Sequence, residues 1–86
     1  MNANRMVEIV ERIKDVISHD HPGKKIKDKH VAYVLCMTPN NLSVKKSRGL
    51  MPYEDIVMLC VKRKVSLNWM LFGIGSMRLD DAVKSL

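Results

Sequence analysis

Apolar positions recur with a helical period along most of this chain, and the one helix-length stretch that loses them is the most informative. Met6, Ile9, Val10, Ile13, Val16 and Ile17 predict an amphipathic first helix of about four turns, with Glu8, Glu11, Arg12, Lys14 and Asp15 on its other face. Glu8 precedes Arg12 by four residues, a spacing that adds ~0.3 kcal/mol to a helix. The following SHDHPGKKIK contains Pro22 and Gly23 and reads as a loop or turn. From Asp28, residues Val31, Ala32 and Leu35 give a short helix one apolar face, with Ala32 small enough to let another helix cross closely. Thr38-Pro39 then starts a second helix, because the threonine hydroxyl can cap open N–H groups and proline loses no bond at the first helical position. Gly49 ends it after Arg48.

Pro52 opens the next helix, with Glu54 and Asp55 in its first turn and Lys62, Arg63 and Lys64 in its last, matching the helix dipole at both ends. Ile56, Val57, Leu59, Cys60 and Val61 are its expected buried side. Ser66 caps a short apolar helix of Leu67, Trp69, Met70, Leu71 and Phe72, expected as the floor of the core and closed by Gly73 and Gly75. Residues 78–86 predict a last turn or short helix whose Leu79, Ala82, Val83 and Leu86 lie along one side, a stripe suited to packing on a second copy. The expected fold is all-α, a single domain over residues 1–86 built as a compact bundle of about five short helices around the two-helix unit of 28–48.

That unit stands out by what its second helix lacks. Between Pro39 and Arg48 only Leu42 and Val44 are apolar. At about 100° per residue, an inward Leu42 leaves Asn40, Ser43, Val44 and Ser47 on the far side. Short amide, hydroxyl and methyl groups suit base edges in a DNA major groove, where asparagine pairs bidentately with adenine and an apolar group meets the thymine methyl. A merely solvated surface helix has the same composition, and charge decides between the two. Residues 24–48 hold Lys24, Lys25, Lys27, Lys29, Lys45, Lys46 and Arg48 against Asp28 alone, a surplus of six, and the whole chain is +6. The positive excess therefore sits entirely on and beside the two-helix unit, the footprint of a polyanion contact.

The run from Ala32 to Gly73 resembles the N-terminal helix-turn-helix domain of phage CI-type repressors, a lambda-repressor-like fold. Carrying the resemblance are the small Ala32, Thr38-Pro39 ahead of the recognition helix, the basic Lys45-Lys46-Ser47-Arg48-Gly49, Met51-Pro52-Tyr53-Glu54, and Ser66-Leu67-Asn68-Trp69-Met70-Leu71-Phe72-Gly73. Two positions depart from the pattern: Cys36 replaces the usual glycine of the turn, and Lys45 replaces a large apolar or aromatic residue. The first is expected to strain or reshape the turn, and the second to lay a lysine stem along the core with its ammonium reaching toward phosphate. The resemblance implies a dimeric repressor that binds a double-stranded DNA operator and obstructs polymerase. Thr38, Asn40, Asn41, Ser43 and Val44 are its candidates for base readout; Lys45, Lys46, Arg48 and the lysines from Lys24 to Lys29, Lys27 and Lys29 among them, are its candidates for phosphate. His30, next to Lys29, is a further group able to face a phosphate. The alternative is a helix-turn-helix antitoxin or protein-interaction module that docks a partner through the 78–86 stripe.

Composition narrows the remaining classes. Eighty-six residues, 47% hydrophobic and 5% aromatic, suffice for one small core of aliphatic side chains and seven methionines. Cys36 and Cys60 lie in apolar contexts without metal-ligand spacing and are expected as buried reduced thiols. His19, Asp20 and His21 do not complete a tetrahedral ligand set, so no metal is expected. No nucleophile with a partnered base, carboxylate pair in a cleft or phosphate-cradling glycine loop is present, so neither enzymatic activity nor a cofactor is expected. Charges interrupt residues 1–15 before a signal-peptide core can form, and no apolar run approaches the ~20 residues of a membrane span. A cytoplasmic location follows as the expectation.

Overall fold

The computed structural model describes residues 5–79, and within them five helices follow in order: α1 (Arg5–Asp20), α2 (Asp28–Val34), α3 (Pro39–Arg48), α4 (Tyr53–Arg63) and α5 (Leu67–Phe72). No strand occurs among the described residues beyond an isolated antiparallel bridge between Val65 and Arg78. The all-α architecture with five helices is as expected. By its internal contacts the chain divides into two compact units, residues 1–52 and 53–86.

In the first unit α1, α2 and α3 each contact the other two. The apolar stripe of α1 is fully used: Met6, Ile9, Val10, Ile13, Val16 and Ile17 are all buried, as are Val31 and Ala32 of α2, Leu35 just after it, and Leu42 of α3. Burying such side chains is worth roughly 1.5–3 kcal/mol each, so the stripe of α1 is the main adhesive of this unit. Glu8 Oε1 accepts from Arg12 at 3.2 Å, the expected pair. α1 runs on through Asp20, three residues into the segment read as loop, and Gly23 turns the chain at a φ of 85°.

The turn between α2 and α3 answers what replaces the expected glycine. Cys36 itself takes the left-handed conformation, φ 60°, while its N–H donates to the Tyr33 carbonyl and the Met37 N–H to the Ala32 carbonyl, both at 3.0 Å. This is a Schellman closure, and the side chain at its left-handed position normally is hydrogen. The cysteine strains the turn without reshaping it. That geometry also corrects the expectation of a buried thiol, because a residue at the helix-ending corner projects away from the packed faces: Cys36 is exposed, and Cys60 alone is buried. Lys64, φ 54°, closes α4 in the same way, with the Val65 N–H donating to the Cys60 carbonyl at 2.9 Å.

In the second unit α4 contacts α5, Pro52 stands just before α4, and Glu54 with Asp55 and Lys62 with Arg63 occupy its ends as expected. The buried side is narrower than its apolar stripe. Ile56, Leu59 and Cys60 are buried, whereas Val57 and Val61 are 38% and 65% exposed, because at about 100° per residue Val57 lies at the flank of the face that the other three define and Val61 nearly opposite it. α5 is corrected likewise: Ser66 caps it by accepting from the Trp69 N–H, but only Met70 is buried and Phe72 is half-exposed. A helix apolar on all sides cannot bury every side against one neighbour. Burial of the Cys60 thiol pushes its pKa up to about 11. Of the 78–86 stripe, Arg78 and Leu79 are described, with the Arg78 guanidinium donating to the Arg63 carbonyl at 2.9 Å; the rest lies outside the described residues.

Candidate nucleic-acid interface

All the sequence-derived candidates fall within the first unit. α3 begins and ends where its local chemistry dictates. The Thr38 Oγ1 accepts from the Asn41 N–H at 3.1 Å, Pro39 occupies the first helical position, and Gly49 closes the helix in the left-handed conformation, φ 68°, with the Leu50 N–H donating to the Lys45 carbonyl at 2.9 Å. Thr38 is thereby a cap first; its hydroxyl proton remains available as a donor.

Leu42 is the one buried residue of α3, and its burial orients the whole helix. Asn40, Asn41, Ser43, Ser47 and Arg48 are exposed, and Val44 is 39% exposed. About 160° from Leu42, Asn40 and Val44 share the outermost line of the helix. An amide and a branched methyl therefore face outward together on a rigid element, with Ser43 and Ser47 beside them.

Lys45 and Lys46 lie roughly 60° and 40° to either side of Leu42, and both are half-buried. The sideways position of Lys45 fits a stem laid along the core. Lys46 differs from the expectation of a phosphate contact, because its ammonium meets Asp28 Oδ2 at 2.9 Å. Asp28 Oδ1 in turn holds Lys14 of α1 at 2.7 Å, and Lys14 also approaches Glu11 at 3.5 Å. Hydrogen bonds from Lys14 and then Lys46 hold the Asp28 carboxyl below its ordinary pKa, and the same Asp28 contact holds Lys14 above its own. Lys14 is thus not a solvated outer-face residue of α1, since it borders the apolar stripe and reaches across to α2.

The ion pair seats the start of α2 beside α3. Lys27 and Lys29, the exposed neighbours of Asp28, are thereby brought near the basic end of α3, with exposed Lys24 and Lys25 preceding them in the loop. His30 has a capping role: its Nδ1 accepts from the Lys27 backbone N–H at 2.9 Å, the reciprocal bond of a helix start, which leaves Nε2–H as its donor. Among the described residues no group of three or more His, Cys, Asp or Glu is placed to hold a metal ion, and no helix is long and apolar enough to cross a membrane. The shared carboxylate of Asp28 was the feature that sequence reasoning missed; the only available signals were its isolation among lysines and the sideways angle of Lys46 from Leu42. No protein family, curated protein or solved structure matches this chain.

Proposed function

We propose that this chain is a sequence-specific double-stranded DNA-binding protein with a lambda-repressor-like helix-turn-helix, α2 and α3, acting as a phage-type transcriptional repressor. The observation that carries the reading is α3 itself. A helix held by one buried leucine, capped at both ends, turns an asparagine and a valine outward amid the chain's entire positive excess. A solvated helix needs neither that local charge nor short hydrogen-bonding groups on its outermost line. In this reading Asn40, Asn41, Ser43 and Val44 meet base edges, while Lys45, Arg48 and the lysines from Lys24 to Lys29 meet phosphates on either side. Repression needs no chemical step, since a protein seated on an operator excludes polymerase from it. Two copies on a two-fold operator complete the proposal, and location in the cytoplasm follows from access to DNA.

Titrating short duplex DNA with the protein over a range of salt tests this directly. Log affinity should fall linearly with log salt, and Arg48→Ala should reduce the slope by about 0.9 on every sequence alike. Salt-independent binding, or none at low salt, would remove the proposal. One observation favours a second reading as a protein-interaction module: within the second unit Val57, Cys60, Val61, Val65, Leu67 and Leu79 line an open apolar depression. That reading leaves the charge around α3 unexplained.

A further inference from the structure

Asp28 is the only acidic residue between Lys24 and Arg48, and both of its oxygens are taken by lysines from other helices. Lys14 comes from α1 and Lys46 from α3, so one carboxylate at the start of α2 ties together the three helices of the first unit. The three side chains are partly shielded, at 24%, 30% and 44% exposed for Lys14, Lys46 and Asp28. Building on the DNA-binding reading, we propose that Asp28 is a specificity-setting positioning residue: it withholds the Lys14 and Lys46 ammonium groups from phosphate, lowering affinity for DNA of every sequence, and pins α3 in the orientation that favours the operator.

Asp28 and phosphate compete for the same two lysines. Phosphate attraction is blind to sequence, so each additional lysine that reaches the backbone tightens binding to every duplex alike, and discrimination gains nothing from it. A lysine already bonded to a partly shielded carboxylate must break that bond to reach a phosphate. The move would also uncover a negative charge in front of a polyanion, and both effects oppose it. Lys46 stands only about 40° from buried Leu42, so the same bond also resists rotation of α3 about its axis. Asp28 thus costs general affinity while holding Asn40 and Val44 in one orientation.

The test uses the full chain, a scrambled duplex and a duplex selected for tight binding, with affinity followed by fluorescence anisotropy between about 50 and 300 mM salt. Asp28→Asn should bind scrambled DNA roughly tenfold tighter at 0.1 M salt for each released lysine that reaches a phosphate, steepening the slope by about 0.9 to 1.8. The released lysines tighten both duplexes alike, so the ratio of selected to scrambled affinity should fall severalfold only through the unpinned α3, and an unchanged ratio overturns the specificity role. Lys46→Ala should leave the wild-type slope nearly unchanged, and in the Asp28→Asn background should reverse about 0.9 of the steepening. A purely structural role for Asp28 would weaken binding to both duplexes without steepening the slope, and that result overturns the proposal. So does a Lys46→Ala slope that falls in the wild-type background as much as that of Arg48→Ala. Circular dichroism identifies an unfolded Asp28→Asn protein, in which case the Lys46→Ala and Arg48→Ala comparison decides alone. A wild-type protein that binds no duplex overturns the DNA reading and this inference with it, whereas binding with unaltered Asp28→Asn slope overturns this inference only.

Discussion

Exchanging Leu42 and Asn40 in turn for alanine separates the fold from its use, because the two positions lie on opposite sides of α3. Leu42 is 1% exposed and is the one α3 side chain in the core. Truncation to alanine removes three carbons at ~0.8 kcal/mol each, and the incompletely collapsed cavity adds to that, for about 3 kcal/mol in all. For an 86-residue chain a total stability of about 4–13 kcal/mol is ordinary, so the loss is a large fraction of the whole. Each kcal/mol moves the midpoint of such a domain by about 4–8 °C, which predicts a fall of roughly 12–24 °C. Asn40 is exposed, and Asn40→Ala should change stability by no more than about 0.5 kcal/mol. Its loss should appear on DNA instead: ~1–3 kcal/mol on a selected duplex, the range for one bidentate base contact, and little on scrambled DNA because no charge is removed. Thermal melts and titrations on both duplexes provide the readouts. A stable Leu42→Ala beside a destabilised Asn40→Ala, or an Asn40→Ala loss equal on both duplexes, would refute this orientation of the helix.

Thr38→Ala should lower stability by about 1 kcal/mol in urea melts, since the Asn41 N–H loses its hydroxyl acceptor at the start of α3. Cys36→Gly should raise stability by up to about 1 kcal/mol, because relief of left-handed strain exceeds the entropy that glycine adds to the unfolded chain; an unchanged or lower melting point would contradict the strained turn. A thiol reagent at neutral pH should modify Cys36 at once and Cys60 only on denaturation, Cys60 being buried with its pKa pushed up to about 11. The depressed pKa of Asp28 means that the unfolded chain binds its proton more readily, so the Asp28 contribution to stability is complete above about pH 4 and is lost as pH falls through the lower folded value. Urea melts of wild type and Asp28→Asn should therefore differ at neutral pH and converge in acid.

The elements set by local chemistry were legible in the sequence. Thr38-Pro39 and Gly49 mark both ends of α3 because a cap acts within a turn of its own backbone, and the α1 stripe is long enough that its period leaves one burial pattern. Legibility stops where a partner decides. Val57, Val61 and Phe72 are as apolar as their buried neighbours, and periodicity does not state how wide a face the neighbouring helix covers. Cysteine is usually buried, but at Cys36 the backbone corner outweighs that tendency. The Asp28 bridge joins residues 14 and 18 positions away, beyond the reach of helical spacing, and it changes the role of Lys46 within the candidate interface while leaving Asn40, Ser43, Val44 and Arg48 facing outward.

Selection of duplexes from a random pool by the purified protein decides whether α3 reads DNA sequence. The recovered duplexes should share a short common sequence and be bound about a thousandfold or more tighter than scrambled DNA at the same salt, with the preference relaxed in Asn40→Ala. Recovered duplexes without any common sequence, bound no better than the starting pool, would contradict sequence readout by α3.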